Sequence, residues 1–235
     1  MISVIIPTLN EEKKLSNILN DLKNQDFLNY EVIVSDGNSK DKTQLIARQN
    51  NCRLVVSDIN SPAHQRNKGV EEAKYLNLLF LDADSRIPRN FLKNAYNEFI
   101  KRDLGVASFY LRFNSKKFIY KIYNFLYNSF CFVFQYFKPL SVGAAIMVKK
   151  EKHKKINGFD ETIYVGEDHE YARQIKKIAK FRMLKSTFFY FSPRRWEKEG
   201  HIKSLLKIFK MSLYMTFYGP IRKKIVDYEF GDFNK

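Results

Sequence analysis

Two carboxylates stand one residue apart at the end of Leu78-Leu79-Phe80-Leu81-Asp82-Ala83-Asp84. Hard oxygen donors at that spacing suit a divalent cation, and a cation so placed can hold a diphosphate. The four apolar residues before them read as a strand buried on both faces. Such a strand has no use for charge until it leaves the sheet. In open α/β sheets, ligands collect beyond the carboxyl ends of the strands. Strand side chains alternate, so Asp82 and Asp84 are expected to point the same way. The same residues also suit a plain turn, since Asp and Ser are turn formers and Ser85 and Pro88 follow. A second acidic group, Glu167-Asp168-His169-Glu170, follows Gly166. It reads as the start of a helix, where acids complement the dipole.

The elements that must position these residues are legible upstream. Apolar runs at 2–6, 30–35 and 53–56 predict strands. Helical spacing predicts helices at 11–24, 41–49 and 62–75, with Asn10 as the cap of the first. Strand and helix alternate four times before Asp82, the pattern of parallel βαβ units with right-handed crossovers. No glycine-rich phosphate loop follows the first strand, so phosphates must be met by a metal or by basic side chains. Further on, a helix at 88–101 and strands at 105–113 and 140–149 are expected, with two short strands at 181–184 and 187–191. Residues 118–137 are mostly aromatic but contain Lys121, Asn124, Asn128 and Gln135. That run fits a membrane span, a core helix or an interfacial helix, and its basic flanks favour the last. The tail at 197–235 reads as amphipathic helices with a basic face.

Charge divides the chain at the same place. Residues 1–84 carry 10 Lys/Arg against 12 Asp/Glu, whereas the remainder carries 31 against 13. A basic half implies an anionic partner: nucleic acid, an anionic membrane or a phosphorylated substrate. Cys52 and Cys131 match no metal spacing and point to a reducing compartment. The N-terminal apolar run is too short for a signal peptide, so a cytoplasmic protein is expected.

Six motifs in order resemble those of the family 2 glycosyltransferases. They are Ser3-Val-Ile-Ile-Pro-Thr-Leu-Asn-Glu11, Val32-Ile-Val-Ser-Asp-Gly37 with Ser39-Lys-Asp-Lys-Thr43, Gln65-Arg-Asn-Lys-Gly69, Leu79-Phe-Leu-Asp-Ala-Asp84, Gly158-Phe159-Asp160 and Gly166-Glu167-Asp168. The resemblance implies a GT-A fold: Rossmann-like α/β, with a mixed, mainly parallel central sheet. It covers about 1–195, divided into a nucleotide-binding half (1–84) and an acceptor half (85–195), with 196–235 as a basic helical tail. It implies that Pro7, Thr8, Glu11, Asp36, Arg66 and Asp82 bind the nucleotide. Asp84, with Asp82, would hold Mg²⁺ or Mn²⁺. Asp168, with Glu167 beside it, would be the catalytic base. Gly158, Phe159, Arg194, Arg195 and Trp196 would face the acceptor. Leu9 stands where an aromatic residue is common in the family.

These residue types suit the implied chemistry. A metal stabilises a diphosphate leaving group as a Lewis acid. A hydroxyl acceptor needs a carboxylate base. A single in-line displacement inverts the anomeric centre. The expected reaction is transfer from a nucleotide-diphosphate sugar to a glycan or lipid-linked (polyprenyl-phosphate type) acceptor. The location leaves room for peripheral contact with an anionic membrane at its cytoplasmic face. The rivals are a nucleotidyltransferase of related fold and a basic nucleic-acid-binding protein; no recognition helix or RNA-binding signature supports the latter.

Overall fold

The structure is a computed structural model that describes residues 1–137, 139 and 143–223, with the backbone alone at 194–196, 202, 205, 208, 209, 212, 213 and 216. The first half runs β1 (Ile2–Thr8), α1 (Glu12–Lys23), β2 (Tyr30–Asp36), α2 (Thr43–Gln49), β3 (Arg53–Val56), α3 (Pro62–Glu72) and β4 (Asn77–Leu81). The second runs α4 (Phe91–Lys101), β5 (Val106–Phe113), α5 (Phe118–Phe134), β6 (Ala145–Lys149), α6 (Lys150–Lys155), α7 (Glu167–Lys176), β7 (Phe181–Phe191), α8 (Arg194–Glu199) and α9 (His201–Phe217).

The seven strands form one mixed, mainly parallel sheet in the order β3-β2-β1-β4-β6-β5-β7. β1, β2, β3 and β4 are mutually parallel, and β6 runs antiparallel between β4 and β5. Both faces are covered, so β1 is buried throughout, as an uninterrupted apolar strand requires. The chain leaves β1 toward β2 on one side and reaches β4 on the other, which opens a crevice at their carboxyl ends. The antiparallel direction of β6 matters for the site. Its first residue, Ala145, pairs with Leu81, the last of β4. Gly143 and Ala144 therefore arrive at the same crevice as Asp82.

The two short strands expected at 181–184 and 187–191 are one, β7, with a break in register between Leu184 and Phe188 opposite Phe109 and Tyr110. Asn10 does not cap α1. Glu11 holds the cap position, while Asn10 sits at φ 52 with its Oδ1 accepting from the Lys40 amide. The aromatic run at 118–137 is a surface helix. Beyond Ser108, the edge of β5 is not paired with β6, and α5 takes that place. The Asn124 and Asn128 Oδ1 atoms accept from the amides of Phe113 and Leu111, and Asn128 Nδ2 donates to the Leu111 carbonyl. The two asparagines, one turn apart, thus stand in for strand partners whose buried amides need acceptors. Among the described residues, no helix is long and apolar enough to cross a membrane. The tail folds back onto the body: Lys117 pairs with Glu197 at 3.0 Å, His201 packs on Tyr120, and Arg222 reaches Asp160 at 2.8 Å.

Candidate active site

The cleft at the carboxyl ends of β1 and β4 is lined by Pro7, Thr8, Glu11, Asp82 and Asp84. Glu167, Asp168 and His169, from the start of α7, line it as well. The loop carrying Asp84 is pinned twice. Arg86 makes a bidentate pair with Asp21 of α1, at 2.6 and 2.7 Å, and its backbone bridges to Tyr190 of β7. A fork-on-carboxylate pair fixes orientation as well as distance.

Arg66 is the centre of the site. α3 opens with Ser61 as its cap and Pro62 in its first turn, then drives Arg66 inward to 3% exposure. Its Nη1 donates to Glu167 Oε1 at 2.7 Å and its Nη2 to Asp82 Oδ1 at 3.0 Å. One guanidinium thus ties the first acid of the Asp-x-Asp pair to Glu167, which lies 101 residues after Arg66 itself. Burial works against the charge, but Asp82, Glu167 and Asp168 overcome it and hold Arg66 protonated. Burial and the neighbouring Asp168 push the Glu167 carboxyl above its usual range, with Arg66 pulling the other way.

Asp168 is aimed by backbone. Its Oδ2 accepts from the Gly143 amide at 2.5 Å and its Oδ1 from the His169 amide at 2.8 Å. A side chain at Gly143 would not fit: a Cβ there would lie 2.9 Å from Arg66 Nη2 and 3.2 Å from Asp168 Oδ2. Gly166, at φ +85, turns the chain into α7 so that Glu167 and Asp168 occupy its first turn.

Several expected site residues lie elsewhere. Asp36 is wholly buried and off the cleft wall. Its carboxylate accepts from Thr8 Oγ1, the Ser39 amide and hydroxyl, and Gln44 Nε2. Both oxygens are thus engaged in ordering the loop. The same loop turns its other polar groups onto α1: Ser39 Oγ accepts from Asn10 N, Thr43 Oγ1 from Glu11 N and Asp41 Oδ2 from Glu12 N. These satisfy amides that a helix start leaves unpaired. Phe159 is core, at 2% exposure, stacked on Tyr171 with centroids 3.8 Å apart and lying 5.3 Å beneath the Arg66 guanidinium. Gly158 also lies off the cleft; Asn67 clamps this turn by accepting from Phe159 N and donating to Phe159 O. Arg194, Arg195 and Trp196 begin α8, and their side chains lie outside the described residues. Sequence reasoning missed Met211 and Met215 of α9, which line the cleft beside Phe191. An amphipathic tail gives no sign of which body face it will cover.

The cleft is acidic although the chain carries a net charge of +16. Among the described lining residues, Glu11, Asp82, Asp84, Glu167 and Asp168 face a single cation, Arg66. A diphosphate would meet net repulsion there unless a cation accompanied it. Asp82 and Asp84 supply hard oxygen donors, and Mg²⁺ commonly takes one or two carboxylates with substrate phosphates completing its shell. The residues present therefore fit a divalent metal.

The chain whose mixed sheet opens at β1 and β4 onto this acid-lined cleft belongs to glycosyl transferase family 2, whose model it matches over residues 3–157. Among characterised relatives, it is 38% identical over 101 residues to the poly(ribitol-phosphate) beta-N-acetylglucosaminyltransferase TarS of Staphylococcus aureus, covering 40% of this chain and 18% of that protein. It is 32% identical over 93 residues to the GalNAc(5)-diNAcBac-PP-undecaprenol beta-1,3-glucosyltransferase of Campylobacter jejuni, covering 37% of this chain and 30% of the relative. The chain therefore matches less than a third of either protein's length. In three dimensions it resembles S. aureus TarS 1–349 in complex with UDP-GlcNAc (TM-score 0.67, 24% identity, 81% of this chain and 58% of that one). It also resembles the Pyrobaculum calidifontis mannosyltransferase PcManGT in complex with GDP-Man and Mn²⁺ (TM-score 0.70, 20% identity, 89% and 64%). At these identities the structural likeness establishes the GT-A fold.

Proposed function

We propose that the chain is a metal-dependent, inverting glycosyltransferase that moves a hexose-type sugar from a nucleotide-diphosphate donor to a glycan or lipid-linked (polyprenyl-phosphate type) acceptor. The observation that carries this reading is the acidic cleft of an otherwise basic protein, with Arg66 spanning Asp82 and Glu167. Pro7, Thr8 and Glu11 form the donor wall, and Asp36 acts behind it by fixing Thr8 and the 37–43 loop. Asp84 and Asp82 would hold Mg²⁺ or Mn²⁺, which when bound supplies Lewis-acid stabilisation to the leaving diphosphate. Asp168, held by two backbone amides, takes the proton from the acceptor hydroxyl. Glu167 is engaged by Arg66 and serves to position it. Attack by the acceptor oxygen opposite the leaving diphosphate is a single in-line displacement, which inverts the anomeric centre. A polyprenyl-linked acceptor places the reaction at the cytoplasmic face of a membrane, with the enzyme peripheral to it. The C. jejuni relative, whose name specifies an undecaprenol-linked substrate, supports that acceptor class.

Thermal-shift screening against nucleotide-sugars with and without Mn²⁺ tests the donor half of this reading. Stabilisation by a UDP- or GDP-sugar should require the metal and should be lost in Asp84→Asn. Metal-independent stabilisation that survives in Asp84→Asn would refute it.

A further inference from the structure

α5 carries apolar residues on both faces. Asn124 and Asn128 face the sheet together with the buried Tyr120 and Cys131, while a further set of large apolar residues faces solvent. Phe118, Ile122, Phe125, Leu126 and Val133 lie on the outer side, Phe125 at 71% exposure, and Phe137 continues the face at 78%. Ten of the 21 exposed large hydrophobic residues among those described fall between 118 and 137. Contiguous apolar surface of this kind marks a site of association.

The rim of this face is cationic. Lys116 and Lys121 lie exposed at its start. Further along, Lys185 sits 4.5 Å over the Phe132 ring and Arg182 4.5 Å over Tyr136. No Asp or Glu occurs between 104 and 150. The acids that approach from neighbouring elements are already engaged: Glu197 by Lys117 and Glu98 by Arg102. Two copies meeting through this face would set equal charges against each other, which costs energy at an isologous contact. An apolar stripe bordered by lysine and arginine instead matches hydrocarbon bordered by phosphate.

We propose that the outer face of α5 docks the protein onto an anionic lipid bilayer. The helix lies parallel to the surface, with its aromatic and aliphatic side chains in the acyl boundary and its cations at the phosphates. The inference rests on the functional reading only in that a lipid-linked acceptor would lie at the same surface: the docking itself requires no activity.

Flotation of the full chain with phosphatidylcholine vesicles, with and without phosphatidylglycerol, tests it at low and high salt. Binding should need the anionic lipid and weaken with salt. Phe125→Glu with Leu126→Glu should lower it at least about tenfold, and Lys116→Gln and Lys121→Gln about fivefold each. Both acidic replacements are at exposed positions, and unchanged metal-dependent nucleotide-sugar binding by that variant would separate lost docking from a damaged enzyme. Absence of vesicle binding by the wild type overturns the proposal, as does equal binding by the variants. So does a concentration-dependent dimer in sedimentation equilibrium that the two glutamates abolish while vesicles capture nothing.

Discussion

Arg66→Met removes the guanidinium from the cleft while keeping an unbranched chain of similar reach. Two charge-assisted hydrogen bonds go with it, at 2.7 Å to Glu167 and 3.0 Å to Asp82. Asp82 is partly open to water, but the Glu167 side chain is only 12% exposed and, wherever it stays ionised, has lost its cation. Breaking a buried pair from one side typically costs about 3–5 kcal/mol. For a chain of this size that corresponds to a Tm lower by roughly 10 °C. The pH dependence gives a sharper signature. Glu167 already titrates above its ordinary value because of burial and Asp168, and Arg66 is what pulls it down. Without Arg66 the folded state binds a proton that the unfolded state releases, so stability falls as pH rises. The deficit relative to wild type should therefore be largest at neutral pH and narrow toward pH 5. Urea unfolding at several pH values measures this directly. Arg66→Met combined with Glu167→Leu should recover much of the loss, since both partners are then gone. A deficit below about 1 kcal/mol at neutral pH, or one that does not depend on pH, would refute the view that Arg66 holds the site together.

Gly143→Ala should lower turnover by about ten- to a hundredfold with a modest change in stability, because the new Cβ intrudes between Arg66 and Asp168; full activity would mean that the amide's aim on Asp168 is irrelevant. Asn128→Ala should cost about 2 kcal/mol by stripping the Leu111 amide and carbonyl of their partner, and a loss of only a few tenths in urea unfolding would contradict the role given to α5. His153 is buried neutral against Tyr171, and burial, then Lys150, lowers its pKa from 6.5 to about 4. Stability from this group is present above the unfolded value and is lost as pH falls toward the folded one, by up to about 3 kcal/mol. His153→Gln should flatten that part of the profile, and identical slopes would count against it.

The strands and the Asp-x-Asp pair were readable because local rules suffice: an apolar run that ends in charge marks where a strand leaves the sheet. The site's assembly was not local. Nothing near Arg66 signals that its partner lies on α7, because the contact exists only once β6 reverses direction and brings Gly143 beside β4. The motif around Asp36 has partners that the sequence did not show: its polar residues satisfy the start of α1 and their own turn. Asn124 and Asn128 read as interruptions of an apolar helix because the unpaired edge of β5 that needs them is a tertiary feature.

The central claim is that Asp168 removes the acceptor's proton while other residues hold the donor. Steady-state turnover of Asp168→Asn, with calorimetric titration of the nucleotide and Mn²⁺ on the same preparation, tests it most directly. Turnover should fall by about 10²–10⁴-fold, with nucleotide affinity close to that of the wild type. Turnover within threefold of the wild type, or a parallel loss of nucleotide binding, would contradict it.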